Sequence, residues 1–150
     1  MHENRILIHK LKNFENINSN FLIITLMLFG SILLAISAKV QVPFWPVPMT
    51  MQTFVIFLIG MTYSVRLSFA TVAFYLFQGA IGLPVFAAGG GVAYLVGPTA
   101  GYLYGMLFAS IVISYLANLG FSKTYFKATV SLLIGSAIIF SFGIIYLGYI

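Results

Sequence analysis

Five apolar stretches, separated by short polar or proline- and glycine-rich connections, set the pattern of this chain: roughly residues 21–39, 50–64, 67–82, 98–118 and 128–150. A helix that crosses a bilayer needs about 20 largely apolar residues, so the first, fourth and fifth stretches predict full spans. The second and third are short. Together they make one apolar run from Met49 to Leu83, broken only by Arg66, which is too long for a single crossing at ~1.5 Å rise per residue. A tight turn at Tyr63-Ser64-Val65-Arg66, with Arg66 reaching to the membrane surface, resolves the run into a helical hairpin. The pattern therefore predicts an all-α integral membrane protein with five transmembrane helices over residues 21–150. Residues 1–20 form a polar N-terminal tail that lacks the apolar core and small-residue cleavage site of a signal peptide.

Composition agrees and narrows the chemistry. The chain is 61% hydrophobic and 6% charged, with a mean hydropathy of +1.08, against roughly a quarter charged residues in a soluble domain. Its 150 residues fit one domain. Glu3 and Glu15 are the only acids, His2 and His9 also lie in the tail, and there is no Cys. The spans thus lack the ionisable acid or histidine that proton- and cation-coupled carriers use at membrane depth. They also lack a metal-ligand set or a thiol. The lysine–serine neighbours, Ser37 with Lys39 and Ser122 with Lys123, fall on segment ends, so the sequence argues against an enzyme and implies no metal and no cofactor. The net charge of +5 reads as an orientation signal rather than as a nucleic-acid surface.

An N-terminus in the cytoplasm places Arg5, Lys10, Lys12, Arg66, Lys123 and Lys127 inside and Lys39 outside, as the positive-inside rule asks. The chain is then a multi-pass protein of the plasma membrane whose unusual connections, 40–49 and 83–97, face outward. The first is rigid and aromatic, with Pro43, Pro46, Pro48, Phe44 and Trp45, and runs into a helix opening on Thr50 and Gln52. It is a candidate lid over a ligand, or an interfacial aromatic anchor. The second holds Phe86 and the run Gly89-Gly90-Gly91, which permits close backbone approach to a ligand or is a flexible linker. Thr50 and Gln52 either cap a helix or meet a ligand; an amide at membrane depth needs a partner, and it can both donate and accept. Thr99 and Tyr102, at i and i+3, face a ligand or a neighbouring helix. Lys39 closes a helix C-terminus or binds a carboxylate. On the first helix Ser31, Ala35 and Ala38 form a small-residue row that permits close approach of a helix, either within the chain or from a partner.

Three motifs carry a resemblance. Val47-Pro48-Met49-Thr50-Met51-Gln52-Thr53, Gly79-Ala80-Ile81-Gly82-Leu83-Pro84-Val85-Phe86 and Gly97-Pro98-Thr99-Ala100-Gly101-Tyr102 resemble, in order and on matching segments, successive signatures of the BioY family. Those proteins are the biotin-binding S components of energy-coupling-factor transporters. The resemblance covers about residues 22–150 and implies an S-component-like helical bundle, here five transmembrane helices of an expected six. Two departures stand out. Ser64-Val65-Arg66 occupies the place of the family's glycine-proline-arginine turn, and the Asp and Lys that the family carries on its last helix have no counterpart before Ile150. The chain is therefore expected to be truncated at its C-terminus.

The resemblance implies biotin as ligand and Trp45, Thr50, Gln52, Phe86, Gly90, Thr99 and Tyr102 as its contacts. It also implies a coupling transmembrane subunit, docked on Ser31, Ala35 and Ala38, and separate ATPase subunits. The chain itself has no Gly-x-x-x-x-Gly-Lys-Ser/Thr phosphate loop. The competing expectations are a non-functional remnant that keeps the motifs, and a membrane scaffold that uses the small-residue faces without a ligand.

Overall fold

A computed structural model of the protein describes residues 19–42, 49–121 and 123–149. Helix α1 spans Ser19–Lys39 and leads into a short antiparallel ribbon, β1 (Gln41–Val42) against β2 (Met49–Thr50), with Gln41 opposite Thr50 and Val42 opposite Met49. Then follow α2 (Gln52–Thr62), α3 (Val65–Ala80), a single turn α4 (Val92–Leu95), α5 (Ala100–Leu116) and α6 (Tyr125–Tyr149). A π-helical turn, Ala117–Phe121, ends α5, with Gly120 at φ 94°.

Each apolar stretch carries a helix, and the lengths divide as the sequence predicts. Asn20–Lys39, Ala100–Phe121 and Tyr125–Tyr149 are long and apolar enough to cross a membrane, whereas α2 has 11 residues and α3 has 16. The hairpin turn is tighter than the four residues expected. Helix α3 already begins at Val65, because the Ser64 hydroxyl caps it by accepting from the Leu67 amide at 3.2 Å. Arg66 is exposed in its first turn. Helix α2 starts at Gln52 rather than at Thr50, since Thr50 is held in the ribbon.

Between lipid-facing helices burial of apolar surface adds little, and small residues and internal hydrogen bonds hold the bundle together. Helix α5 lies at its centre. On its α6 side, an added Cβ at Gly101 would meet the Tyr146 Cβ at 2.4 Å, and one at Gly105 would meet the Ile139 Cα at 2.9 Å. Ile113 of α5 fits a notch made by two other helices: Cβ atoms at Gly60 of α2 and Gly135 of α6 would lie 2.5 and 2.4 Å from its side chain. Large apolar side chains such as Phe21, Phe29, Ile36, Phe77 and Ile145 remain exposed outside this core, where lipid would cover them.

The α2–α3 turn is bonded to both long neighbours. The Tyr63 hydroxyl donates to the Leu26 carbonyl of α1 at 2.7 Å, and the Ser114 hydroxyl of α5 donates to the Tyr63 carbonyl at 2.6 Å. The start of α1, this turn and the α5–α6 connection therefore share one end of the bundle. Among the described residues Arg66, Lys123 and Lys127 lie on these segments, with the Lys127 amine 5.7 Å from the Phe121 ring centre.

The small-residue row of α1 turns inward. Ser31 is 1% exposed and donates to the Gln78 amide oxygen of α3 at 2.6 Å, Ala38 is fully buried, and Ala35 is half-buried against the core. Packing within the chain uses this face, so Ser31 and Ala38 are not presented to a partner in this structure.

Gly79, on the last turn of α3, is the seat of Phe86. A Cβ there would lie 2.0 Å from the ring's Cζ, and the ring is hemmed in by Tyr75 and Tyr94 at centroid distances of 5.4 and 4.8 Å. Gly79→Ala is expected to cost roughly 1–3 kcal/mol through overpacking, read as a lower melting midpoint in detergent. Phe86→Leu in the same background is expected to recover part of that loss.

Candidate functional site

The opposite end of the bundle carries the ribbon, residues 81–99, the start of α5 and the end of α6. Side chains bind these connections to the helices through backbone carbonyls. The Lys39 amine donates to the Phe86 carbonyl at 2.7 Å and the Gln41 amide to the Ala87 carbonyl at 3.2 Å. The Tyr104 and Tyr146 hydroxyls donate to the carbonyls of Leu95 and Val96 at 2.9 and 3.1 Å. The glycine run is held by backbone geometry. The Gly91 amide donates to the Gly79 carbonyl at 2.6 Å, and Gly89 and Gly91 take φ of 135° and 106°, a region that favours glycine.

Inside this frame lies a cavity of about 160 Å³. Thr50, Gln52, Thr53, Tyr94, Thr99 and Tyr102 bring hydroxyls and one amide to its wall; Leu103, Met106 and Ile139 are among its apolar lining. Elements distant in sequence meet there. Thr50 ends the ribbon, Gln52 opens α2, and Thr99 and Tyr102 stand at the start of α5. The Thr99 hydroxyl makes no bond to cap that helix. The Tyr102 ring lies over Gly143 of α6, where a Cβ would come within 2.4 Å of it, and meets Phe140 edge-on at 6.3 Å between centroids.

Gln52 is 4% exposed and belongs to a continuous bonded series. Its amide nitrogen donates to the Tyr75 hydroxyl at 2.5 Å, which donates in turn to the Val85 carbonyl at 2.8 Å. On its other side, the Thr50 hydroxyl donates to the Gln52 side-chain oxygen at 3.1 Å and accepts from the Gln52 backbone amide at 3.4 Å. A compact cavity with aromatic and aliphatic walls and a few oriented polar groups is suited to recognising a small, largely apolar ligand.

Of the residues singled out from sequence, Thr50, Gln52, Thr99 and Tyr102 line this one cavity. Phe86 and Gly90 do not. Phe86 is fully buried behind the wall, stacked on Tyr94, and so supports a lining ring. Gly90 sits against the backbone of Leu83, whose carbonyl oxygen would be 2.0 Å from an added Cβ; glycine is needed there for chain packing. Trp45 lies outside the described residues.

Sequence reasoning missed Tyr75, Tyr94 and Thr53. For Tyr75 a signal existed. In a tight antiparallel hairpin, residues equidistant from the turn stand level, and Gln52 is 11 residues before Tyr63 while Tyr75 is 11 after Ser64. The partner that a membrane-depth amide requires could have been sought at that height.

Comparison with known proteins bears on this arrangement. The model of the BioY family matches residues 10–150. The chain is 36% identical over 131 residues to a probable biotin transporter BioY of Rickettsia prowazekii, covering 87% of this chain and 67% of that protein. It is 38% identical over 118 residues to the biotin transporter BioY of Thermotoga maritima, covering 78% and 69%. Among solved structures it is similar to a crystal structure of the S-component for biotin from an ECF-type ABC transporter. The TM-score is 0.78 at 26% identity, covering 88% of this chain and 74% of that one.

Proposed function

The chain belongs to the BioY family, and from that premise we propose that it is the membrane-embedded, biotin-binding S component of an energy-coupling-factor uptake system. The observation that carries this reading is the convergence of Thr50, Gln52, Thr99 and Tyr102, from two of the three motifs that resemble the family's, on one cavity. Thr50 and Gln52 come from the first motif and Thr99 and Tyr102 from the third; the second supplies Phe86, beneath Tyr94.

The bicyclic ring of biotin is compact and apolar apart from its ureido group, a planar unit with two N–H donors and one carbonyl acceptor. Hydroxyls and an amide on the cavity wall match such a unit, and Tyr94, Tyr102 and Met106 offer apolar contact to the ring. The wall residues hold hydrogen-bonding groups suited to recognition, and the family is one of transporter components. Energy for transport is proposed to come from a coupling transmembrane subunit and ATPase subunits.

Orientation follows from charge. Arg66, Lys123 and Lys127 are on segments at the end of the bundle opposite the cavity. By the positive-inside rule that end, with the start of α1, is the cytoplasmic one in this reading, and the cavity opens toward the exterior. This suits capture of a scarce nutrient from outside.

Labelled biotin is expected to bind the 150-residue protein in nanodiscs. Gln52→Ala is expected to weaken that binding roughly ten-fold, the effect of about 1–3 kcal/mol for a lost buried hydrogen-bond partner; biotin binding that ignores this substitution would remove Gln52 from the site. Gly143→Ala changes no lining residue but pushes on the Tyr102 ring, so weaker binding without loss of Gln52 is expected, checked by titration calorimetry. Orientation is testable because the chain has no Cys. In intact cells a membrane-impermeant maleimide is expected to label Ala88→Cys and to leave Thr124→Cys unlabelled until the membrane is opened; the reverse result would invert the topology.

A further inference from the structure

The bonded series through Gln52 fixes more than the position of that side chain. The Val85 carbonyl can only accept a hydrogen bond. The Tyr75 hydroxyl, 2.8 Å away, must therefore spend its one proton on it. Toward Gln52, at 2.5 Å, the same hydroxyl is left able only to accept. The Gln52 group facing Tyr75 must then be the NH2 end of the amide. This holds whatever assignment of nitrogen and oxygen is drawn, because the polarity is dictated by a backbone carbonyl at the end of the series.

With the NH2 end bound to Tyr75, the oxygen is the end beside Thr50. Tyr75 is 1% exposed and lies behind the wall, whereas Thr50, the neighbour of the Gln52 oxygen, is a lining residue. A carbonyl oxygen has two lone pairs, and the Thr50 hydroxyl occupies one. We propose that Tyr75 is a positioning residue: by bridging the Val85 carbonyl and the Gln52 amide, it locks the amide so that the cavity is offered a hydrogen-bond acceptor and thereby selects ligands that present an N–H. The proposal rests on the biotin-binding reading and deepens it, since it assigns the ureido N–H, rather than the ureido carbonyl, to Gln52.

Substitution of Tyr75 by Phe removes the lock while leaving the ring against Phe86. The amide is then free to turn, and its NH2 end can face the cavity. The test compares biotin with two near-isosteric carbamate analogues, each with one ring N–H replaced by oxygen, on the full 150-residue protein in nanodiscs. The wild-type protein is expected to prefer biotin over at least one analogue by roughly a hundred-fold, because a ring oxygen would face the Gln52 oxygen. Tyr75→Phe is expected to narrow that ratio to within about three-fold, chiefly by improving the analogue relative to biotin. A merely structural Tyr75 would weaken all three ligands alike and leave the ratio unchanged, which would overturn the proposal while keeping the biotin reading. Equal affinity of the wild-type protein for biotin and both analogues would overturn it even if Tyr75→Phe did not fold. Absence of biotin binding by the wild-type protein would overturn the parent reading and the assignment of Tyr75 with it.

Discussion

Lipid offers no hydrogen bonds, so a polar side chain inside this bundle is costly unless it finds a partner within the chain, and among the described residues the Ser131 hydroxyl is a buried group that does not. That requirement organises the fold at both ends. Gln78 is met by Ser31 across α1 and α3, and Tyr63 binds α1 through its hydroxyl and α5 through its carbonyl. Gln52 is met by Tyr75 and Thr50. These bonds join helices that apolar contact alone would hold only loosely, because a lipid tail is as good a neighbour as a leucine. The same requirement shapes the site: the Gln52 amide stands at the cavity wall with partners supplied by Tyr75 and Thr50.

Glycine provides the closeness that these bonds demand. Ile113 is received by Gly60 and Gly135, Tyr102 by Gly143, and Phe86 by Gly79. In each case a large side chain occupies the space that a second residue gives up. Two of these fits shape the cavity directly. The Tyr102 ring is a wall because α6 has no side chain beneath it, and Tyr94 is a wall because Phe86, seated on Gly79, stacks behind it.

The helices were legible from hydrophobic runs, and the hairpin from the need to fold a run too long to cross once. The boundaries moved by one to three residues, the largest shift being the start of α6 at Tyr125 rather than 128, and at Ser64 capping decided the position. Thr50, Gln52, Thr99 and Tyr102 were legible because polar residues at the mouths of membrane helices are few and their motifs resemble a family's. Phe86 and Gly90 lie outside the cavity lining for a common reason. Sequence marks a residue as special without saying whether a ligand or the chain itself makes the demand, and here the chain does: Gly79 takes the ring and the Leu83 carbonyl takes the approach of Gly90. The row at Ser31, Ala35 and Ala38 shows the same ambiguity, since Gln78 and the core claim it. Tyr75 went unseen because its bond to Gln52 follows from the register of the α2–α3 hairpin and not from a local pattern.

The loops around the cavity are fastened in an unusual way: Lys39, Gln41, Tyr104 and Tyr146 all reach from helices or ribbon to main-chain carbonyls, those of Phe86, Ala87, Leu95 and Val96. A carbonyl is the same group whatever side chain its residue carries. The fastening itself therefore makes no demand on exposed loop side chains such as Val96, whereas Phe86, seated on Gly79, and the loop glycines are held by their own packing and geometry. Inheritance can retune what the mouth of such a protein accepts, one lining residue after another, while the architecture that presents the mouth stays the same.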